Sequence, residues 1–231
     1  MATPDTSMLR PVADNLWVEA RPLRFFGLET GTRMTVVRLE GGGLFVHSPV
    51  ELDDATRRAI DALGPVKAVV APNRLHHLYV GAWASAYPDA ALYGCPGLDT
   101  KRPDVPWRRT LSNQPEPEWQ GELDQVFFSA FAFANEVVFF HRVSQTLICA
   151  DFVFNLGQHP SAFTRAVAPV LQGRRGPGVT MLERLLIRDW SVARSQVNRI
   201  VAWRPERIVL AHGDIIERGG ADIVARAYDW V

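Results

Sequence analysis

Val69-Val70-Ala71-Pro72-Asn73-Arg74-Leu75-His76-His77-Leu78-Tyr79-Val80-Gly81-Ala82-Trp83 is the stretch on which the fold turns. It leaves a β-branched run, breaks at Pro72, displays two adjacent histidines and resumes an apolar pattern suited to a short helix. Folds with β-strands feeding helices place their chemistry in such loops, because rigid strands hold short polar side chains at a common rim.

Upstream, 15–18 and 35–39 read as strands, and Gly41-Gly42-Gly43 turns the second of them back into Leu44-Phe45-Val46-His47-Ser48-Pro49-Val50 as a β-hairpin. A helix over 52–63 follows, with Leu52, Ala55, Ala59, Ile60 and Leu63 on one face and Gly64-Pro65 ending it. Residues 66–71 form the buried strand that delivers the histidine pair. Beyond it, 90–94 is a strand, and 97–120 is a long polar, proline-rich connection. Three strand-like runs come next, at 125–131, 137–142 and 146–150.

The last third changes character. Residues 161–171 and 180–203 read as helices, the second carrying Leu182, Leu185, Leu186, Trp190, Ala193, Val197, Ile200 and Val201 at spacings of three and four. Between them Gly173-Arg174-Arg175-Gly176-Pro177-Gly178 is a flexible basic link, a solvated turn in its simplest reading and an anion site in another. A strand over 205–211 ends in His212-Gly213-Asp214, and a helix over 221–230 follows. Strands in two clusters with helices between and after them predict an α+β chain, two sheets face to face with helices outside.

The chain of 231 residues, 47% hydrophobic, with 25 basic and 25 acidic side chains, suits one domain over 1–231 with a sizeable core. That balance gives no reason to expect nucleic acid or an acidic membrane surface as partner. The longest apolar runs fall short of a bilayer span and the first residues lack a signal-peptide pattern, so a cytoplasmic protein without membrane partner is expected. Cys95 and Cys149 sit in apolar flanks and read as two reduced core thiols.

Polar residues at three strand ends then draw together. The strand over 66–71 stops just before His76-His77, that over 146–150 stops at Asp151, and that over 208–211 stops at His212. Each is a potential metal ligand where a buried strand meets a loop. His76 and His77 are neighbours, so in an extended chain only one faces a shared pocket. Without a metal, His212 and Asp151 can instead form a buried hydrogen-bonded pair that locks two strands. His47 and Ser48 end the hairpin strand, and His47 is expected to point a hydrogen bond toward the pocket or to serve the strand end. His141 reads as solvent-facing, His159 as a loop residue, and Asn73 and Asp214 as weaker pocket candidates.

These residues resemble the metallo-β-lactamase superfamily, and more narrowly its divergent branch DUF4336. The superfamily pattern is a strand followed by Thr-His-x-His-x-Asp-His-x-Gly-Gly, then Gly-His-Thr, a Gly-Asp after a strand, and a final His-Gly. The resemblance spans roughly residues 12–215 and implies a four-layer αβ/βα sandwich with metals at one edge between the sheets. Laid along the first motif without a gap, Asn73 and Leu75 take the first two histidine positions, His77 the aspartate position and Leu78 the next histidine. Ala132 takes the position of the Gly-His-Thr histidine. Asp151 and His212 survive.

The resemblance therefore implies that the first metal site is lost. His77, Asp151 and His212 remain as ligands for one divalent ion, zinc, manganese or iron, with His76 in that role if the register slips by one. Metal-assisted hydrolysis of an unknown small molecule follows if the ion binds, with Asp151 positioning the water-derived nucleophile. The competing expectation is no metal at all: a relic pocket binding a ligand or partner, made apolar by Leu75, Leu78 and Ala132, with Trp83, Trp107, Trp119 and Phe133 as candidate lining, although most such aromatics are simply core.

Overall fold

Alternation along the buried strands dictates how the layers stack. In a computed structural model that describes residues 9–25, 27–158, 161–172 and 176–231, the chain begins with β1 (Arg10–Ala13) and β2 (Leu16–Arg21). The small hairpin β3 (Arg24–Phe25) and β4 (Leu28–Glu29) follows, then β5 (Thr32–Arg38) and β6 (Leu44–His47). Helix α1 (Asp54–Leu63), capped by the Asp53 carboxylate at Thr56 N, leads to β7 (Val66–Ala71), and α2 (Val80–Ala86) leads to β8 (Ala91–Gly94). The long connection contains α3 (Leu98–Lys101) and β9 (Arg109–Thr110).

The second half comprises β10 (Leu123–Phe128), β11 (Glu136–His141), β12 (Thr146–Ile148), α4 (Ala162–Leu171), α5 (Met181–Leu186), α6 (Trp190–Ala202), β13 (Arg207–Val209) and α7 (Gly220–Ala227). Seven strands form one sheet in the order β1-β2-β5-β6-β7-β8-β9, and four form another in the order β10-β11-β12-β13. β5 and β6 pair antiparallel, as the glycine run predicts, whereas β6-β7 and β12-β13 are parallel.

Successive residues of β7 serve opposite layers. Val66, Val69 and Ala71 pack with Ile60 and Trp83 under the helices of the larger sheet, while Ala68 and Val70 face the second sheet. Between the sheets, Phe45 meets Trp119 and Phe139 edge-on at ring separations of 5.1 and 5.2 Å. On the far side, Val126, Val138, Leu147 and Ile208 bury Val197 and Ile200 of α6 and Val224 of α7. The result is the four-layer αβ/βα arrangement.

One element differs from the sequence expectation. The predicted helix over 180–203 is two helices, broken at Ile187–Asp189, where the Asp189 side chain accepts from Val192 N and starts α6 afresh. Trp83, Trp107 and Trp119 take the core role the sequence favours, and none borders the cleft described below: Trp83 donates to Val50 O and Trp119 to Gln125 Oε1, both fully buried, and Trp107 donates to Arg102 O. Cys95 and Cys149 are free and buried, as expected. His159 and residues 173–175 of the basic link lie outside the described residues.

Candidate metal centre

The parallel strands β6 and β7 in one sheet, and β12 and β13 in the other, all end at the same edge of the sandwich, and the antiparallel β5 and β11 begin there. The sequence just beyond each strand therefore supplies a wall of one site.

After β7 the chain turns sharply at Asn73, whose Oδ1 accepts from Leu75 N and His76 N at 2.9 and 2.8 Å. Arg74 N donates to Ala134 O and Val137 N to Pro72 O, tying this turn to the start of β11 in the other sheet. The turn aims His76, not His77, at Asp151 and His212. His76 Nε2 is 3.1 Å from His212 Nε2 and 3.5 Å from Asp151 Oδ2, and His212 Nε2 is 3.1 Å from Asp151 Oδ1. One donor atom from each of the three lies within 4.8 Å of the others, a group that could hold a metal ion.

The ungapped register that carries a ligand role to His77 is thus corrected. Its ring is turned to Arg102, with Nδ1 3.2 Å from Nη1, and Arg102 also donates to the His77 carbonyl. His77 borders the same cleft but stands outside the three-donor group.

Every member of the triad is fixed from behind. Ser48, held at φ 53°, places Oγ 2.7 Å from His76 Nδ1, and the Gly31 carbonyl lies 2.7 Å from His212 Nδ1. The rings thereby present Nε2 forward, each oriented by the hydrogen bond at its Nδ1, as metal-binding imidazoles require. Phe154 stacks on the His212 ring at 5.5 Å and 7°. Gly213 has φ +97°, and a Cβ there would overlap the Asn155 carbonyl, so only glycine lets the chain after His212 turn here. Arg33 of β5 crosses between the sheets and donates to the carbonyls of Leu210 and Gly213, clamping the His212 segment on both sides.

Asp151 rests on a second carboxylate. Asn73 Nδ2 donates to Asp151 Oδ2 at 2.7 Å and to Glu136 Oε2 at 3.0 Å, while Glu136 accepts from Ala150 N at 2.6 Å and Asp151 N at 2.8 Å. Burial opposes charge on Asp151, but His76 and the hydrogen-bonded His212 hold its carboxyl well below the usual range. Burial and the adjacent Asp151 push Glu136 the other way, up to about 8.

Sequence reasoning missed Glu136 and Arg33 and ranked Asn73 low. The available signal was a lone acid opening the apolar run Val137-Val138-Phe139-Phe140, and an arginine near the start of the largely buried strand β5. His47 makes no hydrogen bond toward the site. It is fully buried against Phe139, neither ring nitrogen has a partner among the described residues, and burial together with His76 lowers its pKa to about 3. Ser48 takes the part expected of it. His141 is buried with Nδ1 2.7 Å from Ser144 Oγ, not solvent-facing, and Asp214 is exposed outside the triad.

Above the triad opens a cleft of about 720 Å³. Leu75, Leu78, Phe131, Phe133, Leu156 and Met181 are among its walls. Glu183 sits in the same wall as a buried acid, bonded to the Thr180 hydroxyl, its pKa raised to about 7 by burial.

Two sheets enclosed by helices, with a His-Asp-His group at their shared edge, define a metallo-β-lactamase fold. The chain belongs to the family described as domain of unknown function DUF4336, whose profile matches residues 13–184. Among solved structures, the DIM-1 metallo-β-lactamase exposed to ceftazidime superposes with TM-score 0.67 at 15% identity, covering 96% of this chain and 95% of that one. A metallo-β-lactamase from Pontibacter korlensis gives 0.65 at 12%, covering 96% and 99%. One from Erythrobacter litoralis with β-mercaptoethanol in its active site gives 0.66 at 13%, covering 96% of each. No curated protein matches. At these identities the likeness establishes the fold alone. Among the described residues no helix is long and apolar enough to cross a membrane.

Proposed function

We propose that this chain is a hydrolase that works with one divalent metal ion held by His76, Asp151 and His212. One observation carries the reading: two imidazole Nε2 atoms and a carboxylate converge while the opposite atom of each group is engaged by Ser48, Gly31 or Asn73. Two nitrogens and one carboxylate oxygen suit zinc, manganese or iron and leave positions open for water and substrate. The superfamily's first site has no counterpart in this donor set, so a second ion is not part of the reading.

When bound, such an ion supplies a nucleophile from water near neutral pH and polarises the bond to be cleaved. The chain does the rest. Asp151, with Oδ2 fixed by Asn73, presents Oδ1 toward the attacking water. Ser48 and Gly31 hold the His76 and His212 rings so that neither swings away. The apolar walls shield the reacting group from bulk water.

The test is to strip the protein with a chelator, reload it with zinc, manganese or iron in turn, and assay a panel of esters and amides. Hydrolysis that returns with one metal and is lost in Asp151→Asn supports the reading; no turnover with any of the three refutes it. A second reading, a metal-free scaffold that binds a ligand, is favoured by one specific observation. The 3.1 Å spacings let His76, Asp151 and His212 close a hydrogen-bonded triad by themselves.

A further inference from the structure

We infer that the cleft is built for the apolar acyl chain of a small ester or amide, whose carbonyl is delivered to His76, Asp151 and His212. The inference rests on the hydrolase reading and names its substrate class. Water adds across the acyl carbon–heteroatom bond: that bond breaks, the water oxygen stays on the acyl carbon as a carboxylic acid, and its proton leaves on the alcohol or amine.

Polarity is graded along the cleft. Its floor is the triad, whereas its walls and mouth are mainly hydrocarbon, and the mouth residues Leu78, Phe133, Val170, Met181 and Leu182 remain 43–70% exposed. Exposed large apolar side chains are unremarkable one at a time, but five around the entrance to a polar floor mark a binding surface. The occupant is a small molecule, because these side chains converge on a cavity whose volume lies in the range of small-ligand sites.

Two cations stand at the edge. Arg24 Nη2 is paired with Glu29 at 2.6 Å, and Lys101 Nζ gives one of its three donors to the Arg74 carbonyl at 2.6 Å. An alkyl chain needs neither charge. Glu183, the carboxyl of the α5 wall, is bonded to Thr180, and its burial opposes its ionisation, which lowers the cost of setting an apolar ligand against that wall.

Calorimetric titration of the metal-free protein with 2-alkanones of about six to twelve carbons, uncharged and not hydrolysable, reads the chain preference without needing turnover. The dissociation constant is expected to fall about fourfold per methylene until the cleft is full. The double variant Phe133→Asp, Met181→Asp is expected to weaken the longest ketone at least tenfold. Affinity that ignores chain length in the native protein overturns the inference. Length-dependent binding without hydrolysis after metal loading would sink only the hydrolase reading; hydrolysis that shows no acyl-length preference would sink only the substrate class.

Discussion

The floor and the walls of the cleft are made by opposite means. On the floor, His76, Asp151, His212, Asn73 and Glu136 come from the ends of three strands and the start of a fourth, and each is held by hydrogen bonds reaching across the two sheets. The walls come from loops, the β3-β4 hairpin and α5, and toward the mouth they end in apolar side chains that stay exposed. Geometry fixed by satisfied buried polar groups is costly to perturb, while exposed apolar residues away from such networks change at small cost. The contrast places bond cleavage on the strands and ligand choice on the loops.

The strongest way to break that division is Asp151→Asn. It removes the sole charged donor of the proposed metal group, and metal affinity measured by competition with a chelating dye should fall roughly a thousandfold or more. Next is Glu136→Ala, which leaves the buried Ala150 and Asp151 amides without their acceptor. It should cost about 3 kcal/mol in urea unfolding although Glu136 gives no atom to the proposed metal group. A cost below about 1 kcal/mol would mean that the floor is not held by its network.

Glu183 sharpens the comparison from the wall side. Its folded pKa of about 7 lies above the ordinary carboxyl value, so between about pH 4.5 and 7 the folded chain binds more protons than the unfolded one. Native stability from this group therefore declines as pH rises through that window. Glu183→Gln should abolish the decline and gain on the native protein by up to roughly 3 kcal/mol at pH 8, read from unfolding curves at pH 5 and 8. Asn73→Ala should weaken metal binding ten- to a hundredfold, the range for residues that orient ligands. Smallest is Val170→Ser at the mouth, which should leave stability within about 0.5 kcal/mol.

How much was legible follows the same line. Strands buried on both faces, such as Val66 to Ala71, could be read directly, because a short apolar, β-branched run bounded by turn residues is written in the sequence. Asp151 and His212 were legible because each follows such a strand. The choice of His76 over His77 was not: it depends on the Asn73 turn, where the side-chain Oδ1 accepts from the amides of residues 75 and 76 and sets how the pair is rotated. Glu136 and Arg33 were hidden for a related reason, since their partners lie in strands distant in sequence and a polar residue inside an apolar run does not announce what it bonds. The break at Ile187–Asp189 was masked because apolar spacing continues across both helices.

Calorimetric titration of the demetallated protein with zinc, alongside His76→Ala and His77→Ala, reaches the central claim most directly. One ion per chain at micromolar affinity or tighter, abolished by His76→Ala and retained by His77→Ala, is the predicted result. No binding, two ions per chain, or loss with His77→Ala while His76→Ala still binds would contradict it.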